Sequence, residues 1–219
     1  MTWDMSAQTA MIAIFCLVVS TGAQAERFGI KVLTSKGEPI EHAVAALIPK
    51  DSTTIPPLIP SEPAVLDQID RQFKPYVLAI QAGQRVSFPN SDSIKHHVYS
   101  FSDPKTFELR LYKDKIPEPL EFETPGIVAL GCNIHDWMIG YIYVAESPWF
   151  GISAADGEIG IDLPAGEYRL KVWHPLMQEI DLQREQDVTI GAALQQEWML
   201  KAPLHSPNFG GLADEFDDY

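Results

Sequence analysis

The sequence predicts an all-β chain folded as a β-sandwich. Three features predict it: short apolar runs with a period of two, Gly- and Pro-containing turns between them, and no convincing long amphipathic helix. Residues 28–33 and 42–48 are two apolar-rich strands around the turn Ser35-Lys36-Gly37-Glu38-Pro39. Residues 51–63, rich in Pro, Ser and Thr and without periodicity, read as a connection. Residues 64–73 come nearest to a helix and suit a strand equally. Strands follow at 76–80, at 85–88 after a turn at Gly83, and at 98–101, 107–111, 127–130 and 140–144. Beyond Pro148 the same rhythm places strands at 158–163, 168–173, 187–190 and 197–200, with Pro164-Ala165-Gly166 as a turn.

Both ends depart from this pattern. A short apolar run over 11–19 precedes Ala23-Gln24-Ala25, the small-x-small form of a signal-peptidase site. A signal peptide, 1–25, cleaved after Ala25 is expected, and with it export to the periplasm. No segment approaches the ~18 consecutive apolar residues of a membrane span, so no membrane insertion is expected. The tail, 204–219, ends in Asp214-Glu215-Phe216-Asp217-Asp218-Tyr219 and reads as a solvated acidic terminus.

Charge narrows the partners. The formal net charge of −14 excludes a nucleic-acid partner, because phosphate binding needs a basic face. It suits a basic redox protein such as a c-type cytochrome, and equally the plain solubility of an exported acidic protein. Of the two cysteines, Cys16 lies in the apolar run and leaves with the signal. Cys132 is then the only thiol of an exported chain. It has no partner for an internal disulfide, which points to metal ligation or intermolecular pairing.

The residues around Cys132 favour a metal. Cys132-Asn133-Ile134-His135-Asp136-Trp137-Met138 holds a thiolate, an imidazole and a thioether within seven residues. Upstream, Phe88-Pro89-Asn90-Ser91-Asp92-Ser93-Ile94-Lys95-His96-His97-Val98 supplies a second imidazole. Two imidazole nitrogens, one thiolate and a weak axial thioether form the ligand set of a mononuclear blue-copper site. In the expected geometry Cys132 ends a strand, His135 sits in the following loop and Met138 begins the next strand. Zinc is the competitor, but structural zinc sites take four strong ligands rather than a thioether.

The segment from Gly126 to Val144 resembles the ligand loop of cupredoxins, with the short amicyanin-like Cys-x-x-His-x-x-Met spacing. Phe73-Lys74-Pro75-Tyr76-Val77, Gly83, and Val86 through Asn90 to His96 resemble the cupredoxin pattern before the first histidine ligand. The resemblance implies a Greek-key sandwich and one type 1 copper. It also implies Cys132 as thiolate, His135 as exposed histidine, His96 as buried histidine and Met138 as axial ligand. His97 departs from the family pattern and is the alternative to His96. The His-x-Val form favours His96, leaving His97 as a support whose amide faces the Cys132 sulfur.

The flanks show a looser likeness. Residues 34–44 and 163–172 resemble carboxypeptidase-regulatory-like, transthyretin-like β-domains. This implies that 26–65 and 146–203 form a second small β-sandwich with the cupredoxin-like copper domain, 66–145, inserted. The alternative is one extended cupredoxin that borrows strands from its flanks.

The expected function is single-electron transport between redox partners by a copper cycling between Cu(I) and Cu(II). The alternative is a copper carrier or sensor without redox turnover. An enzyme is not expected: multicopper oxidases and copper nitrite reductases need His-x-His pairs that this chain lacks, and no other catalytic constellation is present. His42, His174 and His205 have no ligand-like neighbours in sequence. Trp137 reads as a cover over the site, part of an apolar docking patch, or plain loop packing.

Overall fold

The computed structural model describes residues 25–59 and 61–206. The expected signal peptide, apart from Ala25, and most of the expected acidic tail lie outside the described residues. Strand accounts for 55% of the structure and helix for 4%, so the chain is all-β. No helix among the described residues is long and apolar enough to cross a membrane.

In chain order the strands begin with β1 (Ala25–Leu33), β2 (Val44–Pro49), β3 (Ala64–Val65), β4 (Asp67–Ile69), β5 (Gln72–Lys74) and β6 (Val77–Gln81). They continue with β7 (Gln84–Ser87), β8 (His96–Ser102), β9 (Lys105–Tyr112), β10 (Leu120–Phe122), β11 (Gly126–Cys132) and β12 (His135–Ala145). The last are β13 (Phe150–Ile152), β14 (Glu158–Pro164), β15 (Gly166–Trp173), β16 (Glu185–Ile190) and β17 (Leu194–Met199), with one helical turn, α1 (Glu179–Leu182).

These strands make two sandwiches. A three-stranded sheet, β14-β1-β17, faces a four-stranded one, β13-β2-β15-β16. Phe28, Ile30, Leu47, Leu163, Leu170 and Trp198 meet between them in one hydrophobic cluster. The period-two pattern explains the layering. β14 alternates exposed and buried positions along its length, whereas β2, flanked on both sides by strands, is buried at all six.

The middle of the chain makes the other sandwich. The five-stranded sheet β6-β12-β11-β8-β9 faces β10-β7-β3, and Phe73, Val86, Phe88, Phe122, Leu130 and Ile142 fill a separate cluster. The chain leaves β9 for β10 in the opposite sheet and returns in β11 beside β8, a crossover of the Greek-key kind. An aromatic seam joins the sandwiches: His42–Tyr76, Tyr76–Tyr141 and Tyr141–Trp173 pack edge-on with centroids 5.5, 5.6 and 5.7 Å apart. Burial pushes the Tyr76 phenol up to about 12 and raises that of Tyr141, so both phenols of the seam stay neutral.

Some elements settle or differ from an expectation for identifiable reasons. Residues 64–73, whose sequence suits helix or strand equally, take the strand alternative: they form β3 and most of the β4–β5 hairpin. Ile69 pairs with Gln72, leaving Asp70-Arg71 as a two-residue turn with φ of 54° and 58°. Two left-handed central residues define the turn whose twist matches a tight hairpin. His42, expected to open a strand, takes φ 64° and stands before it, so β2 starts at Val44. At Gly157, φ is 77° and a Cβ would lie 2.6 Å from the Val32 carbonyl, so only glycine lets β14 start this close to β1.

His174, just past β15, is buried to 6% exposure and accepts a hydrogen bond from the Leu176 amide at Nδ1, 3.2 Å. Burial pushes its imidazole down to about 4; His42 adds to the shift and a backbone hydrogen bond at Glu41 opposes it. An unfolded histidine titrates near ~6.5, so between about 4 and 6.5 the unfolded chain binds a proton that the native one refuses. Stability is therefore full above that window and falls as pH drops through it, by up to about 3 kcal/mol. Urea denaturation from pH 7.5 to 4 should show this slope in the native sequence and a flatter profile in His174→Gln. Equal slopes in both would contradict the assignment.

Candidate metal centre

Cys132 and His135 face each other across a tight hairpin. β11 and β12 pair antiparallel, with Cys132 opposite His135 and Gly131 opposite Ile139. One step along β11 thus corresponds to four along β12, so Asp136, Trp137 and Met138 form a bulge in the second strand. The expectation that His135 lies in a loop needs correcting: it is the first residue of β12, paired in the ladder, and the irregularity follows it.

The third member comes from β8. Val98 pairs with Cys132 and Tyr99 with Gly131, so the face of β8 that carries Val98 shares the buried side with the thiol. Side chains alternate along a strand, and His96, two residues before Val98, is on that side and wholly buried. His97 falls on the other side. Its Nε2 lies 3.0 Å from Glu108 Oε1, and its ring packs 6.1 Å from Tyr99. Its carbonyl accepts from the Asn133 amide at 3.3 Å, tying β8 to the hairpin turn.

The donor atoms of His96, Cys132 and His135 all lie within 4.8 Å of one another. Cys132 Sγ is 3.7 Å from His96 Nδ1 and 3.8 Å from His135 Nδ1. These separations are long for hydrogen bonds but suit three donors sharing one ion at the ~2.0–2.3 Å typical of imidazole and thiolate ligands. Cys132 is 2% exposed and is the free cysteine among the described residues. Burial, reinforced by His96 and Arg71, holds the His135 imidazole below its ordinary value, so its lone pair is available at neutral pH. Met138 is 1% exposed and packs in the hydrophobic cluster that also contains Cys132.

Two apolar side chains stand exposed beside the half-buried His135, next to the polar Asn133 and Asp136. Trp137 is 53% exposed with its ring 5.2 Å from that of His135, and Ile134 in the turn is 46% exposed. The bulge pushes Trp137 outward while Met138 points in.

Sequence reasoning missed the support behind His96. Asp92, four residues earlier, places Oδ2 3.0 Å from His96 Nε2. The loop between them is fixed by Asn90, whose Nδ2 donates to the carbonyls of Ile94 and Tyr112 at 3.0 and 2.8 Å. Tyr112 in turn donates to the Phe88 carbonyl at 2.7 Å. The signal was present as an Asn-Ser-Asp-Ser turn before the histidine pair, but which acceptor it aims inward depends on the folded loop.

The donor set fits copper on its own chemistry: two imidazoles with one thiolate, and a thioether on the adjoining bulge, suit a soft to borderline metal. No protein-family description matches the chain, and no curated protein does. Solved structures similar to it include a cupredoxin, amicyanins and a copper-containing nitrite reductase. A purple cupredoxin from Nitrosopumilus maritimus is 22% identical over 37% of this chain and 98% of its own length, with a TM-score of 0.32. Amicyanin from Paracoccus versutus is 20% identical over 39% of this chain and 84% of its own, with a TM-score of 0.33. A Cu-containing nitrite reductase from Thermus scotoductus is 20% identical over 52% of this chain, with a TM-score of 0.37; the match spans 28% of that enzyme.

Proposed function

We propose that the chain is an exported, periplasmic mononuclear type 1 copper protein that carries single electrons between redox partners and has no catalytic activity of its own. The observation that carries the reading is the convergence of His96, Cys132 and His135 from three neighbouring strands, β8, β11 and β12. Cys132 would hold the ion as thiolate, His96 and His135 through Nδ1, and Met138 would offer a weak thioether. Copper in such a site exchanges one electron between Cu(I) and Cu(II). The residues supply the rest. Cys132 and His96 belong to paired strands of one sheet, so the donors keep their positions whichever charge the ion carries. Burial of His96, Cys132 and Met138 excludes water.

His135, with its edge half exposed between Ile134 and Trp137, is the point of closest approach for a partner. The net charge of −14 favours a basic one such as a c-type cytochrome. Mixing the Cu(II)-loaded protein with a reduced basic c-type cytochrome in a stopped-flow instrument tests this. Rapid second-order oxidation of the haem that slows as salt is raised is expected, because screening removes electrostatic steering. Slow exchange combined with ready loss of copper to a chelator would instead support a copper carrier.

A further inference from the structure

We propose that Asp92 is a positioning residue for the metal centre: its carboxylate accepts a hydrogen bond from His96 Nε2–H, turns Nδ1 toward Cys132, and favours the oxidised ion over the reduced one. The inference rests on the copper reading above and extends it to a residue outside the donor set.

His96 is wholly buried and has two distinguishable nitrogens. Nδ1 faces the Cys132 sulfur at 3.7 Å, and Nε2 faces Asp92 Oδ2 at 3.0 Å. A carboxylate offers only lone pairs, so the proton of a neutral ring must sit on Nε2, which leaves the Nδ1 lone pair for a metal. Asp92 is itself held from several sides. Its Oδ2 accepts the Arg71 amide at 2.8 Å, its Oδ1 accepts the Ser93 amide at 2.7 Å, and its own amide donates to Asn90 Oδ1 at 3.0 Å. The Arg71 amide reaches it in the β4–β5 turn, where Asp70 and Arg71 take the left-handed conformation. The hydrogen bond from His96 is the largest influence holding the Asp92 carboxyl down at about 2.

An anion behind a ligating imidazole raises the basicity of the nitrogen on the metal side. That strengthens the bond to the more highly charged ion most, so Asp92 should lower the reduction potential. Loss of a supporting carboxylate costs roughly 10–100-fold in metal affinity. If the Cu(II) form bears a tenfold larger loss than Cu(I), the potential rises by about 59 mV.

The experiment has two arms. In the metal-free native chain, 15N NMR of the His96 ring, followed at a pH where the ring is neutral, reports the tautomer: the proton is expected on Nε2, and a neutral ring with its proton on Nδ1 would overturn the proposal. This arm stands whether or not copper binds. In the second, voltammetry compares copper-loaded native protein, Asp92→Asn and Asp92→Glu. The Asn variant, close in shape but uncharged, should keep the visible copper band and rise by about 59 mV or more. The Glu variant, with charge retained, should shift by less than half as much. An unchanged potential in Asp92→Asn, or equal shifts in both variants, would make Asp92 a structural clip only. If the native protein develops no copper band at all, the copper reading fails while the tautomer result still decides whether Asp92 orients His96.

Discussion

Replacing Cys132 by serine is expected to abolish the intense visible band of the Cu(II)-loaded protein while leaving the fold intact. The band requires a sulfur bonded to Cu(II), and Cys132 is the free cysteine among the described residues. The loss of Cu(II) affinity should exceed the roughly 10–100-fold that follows removal of a mere supporting contact. Serine is close to cysteine in size, but its buried hydroxyl stands beyond hydrogen-bond distance of either facing Nδ1, so the metal-free variant should still fold while losing about 1–3 kcal/mol of stability. The histidine pair gives the companion result. His96→Ala should abolish the band, since His96 Nδ1 is 3.7 Å from the sulfur, while His97→Ala should only perturb it, since its ring packs beside Tyr99. The reverse outcome would place the ligand at His97. Absorption spectra of the loaded variants, with thermal melts of the metal-free ones, check all three.

The second large effect lies far from the metal. Trp198→Ala should cost about 3–5 kcal/mol, the usual range for emptying the site of a buried tryptophan. Trp198 is fully buried on β17, opposite Val32 of β1 in a parallel pair, and the Arg184 guanidinium lies 4.0 Å from its ring centroid. The substitution therefore opens a cavity in the first hydrophobic cluster and removes a cation–π contact. That cluster and the one around the metal site share no residue. The visible band of copper-loaded Trp198→Ala should accordingly survive in native buffer, even as the denaturation midpoint falls. A loss below 1 kcal/mol would contradict the packing; disappearance of the band in folded protein would show that the metal site depends on the flanking sandwich.

Contiguity decided what the sequence could reveal. Cys132, His135 and Met138 sit within seven residues, and their residue types alone restrict the metal. The period-two pattern exposed the strands because each sandwich buries one face of its sheets. His96 and His97 were harder to separate, since adjacent strand residues point to opposite faces and only the pairing of Val98 with Cys132 tells which face is inner. The place of His135 at the start of a strand was hidden because a three-residue bulge leaves no mark in apolar periodicity. The Asp70-Arg71 turn escaped notice for a related reason: it adopts a conformation that usually calls for glycine or asparagine. Asp92 was invisible as a support because its role comes from hydrogen bonds to Arg71 and His96, which the fold alone brings together.

The central claim is that His96, Cys132 and His135 form one copper site. Stepwise addition of Cu(II) to the metal-free protein, followed by visible absorption, tests it most directly. An intense thiolate-to-copper band that grows linearly and saturates at one equivalent is the predicted result. A protein that stays colourless through the titration, or that takes up zinc in preference and keeps it against copper, would contradict it.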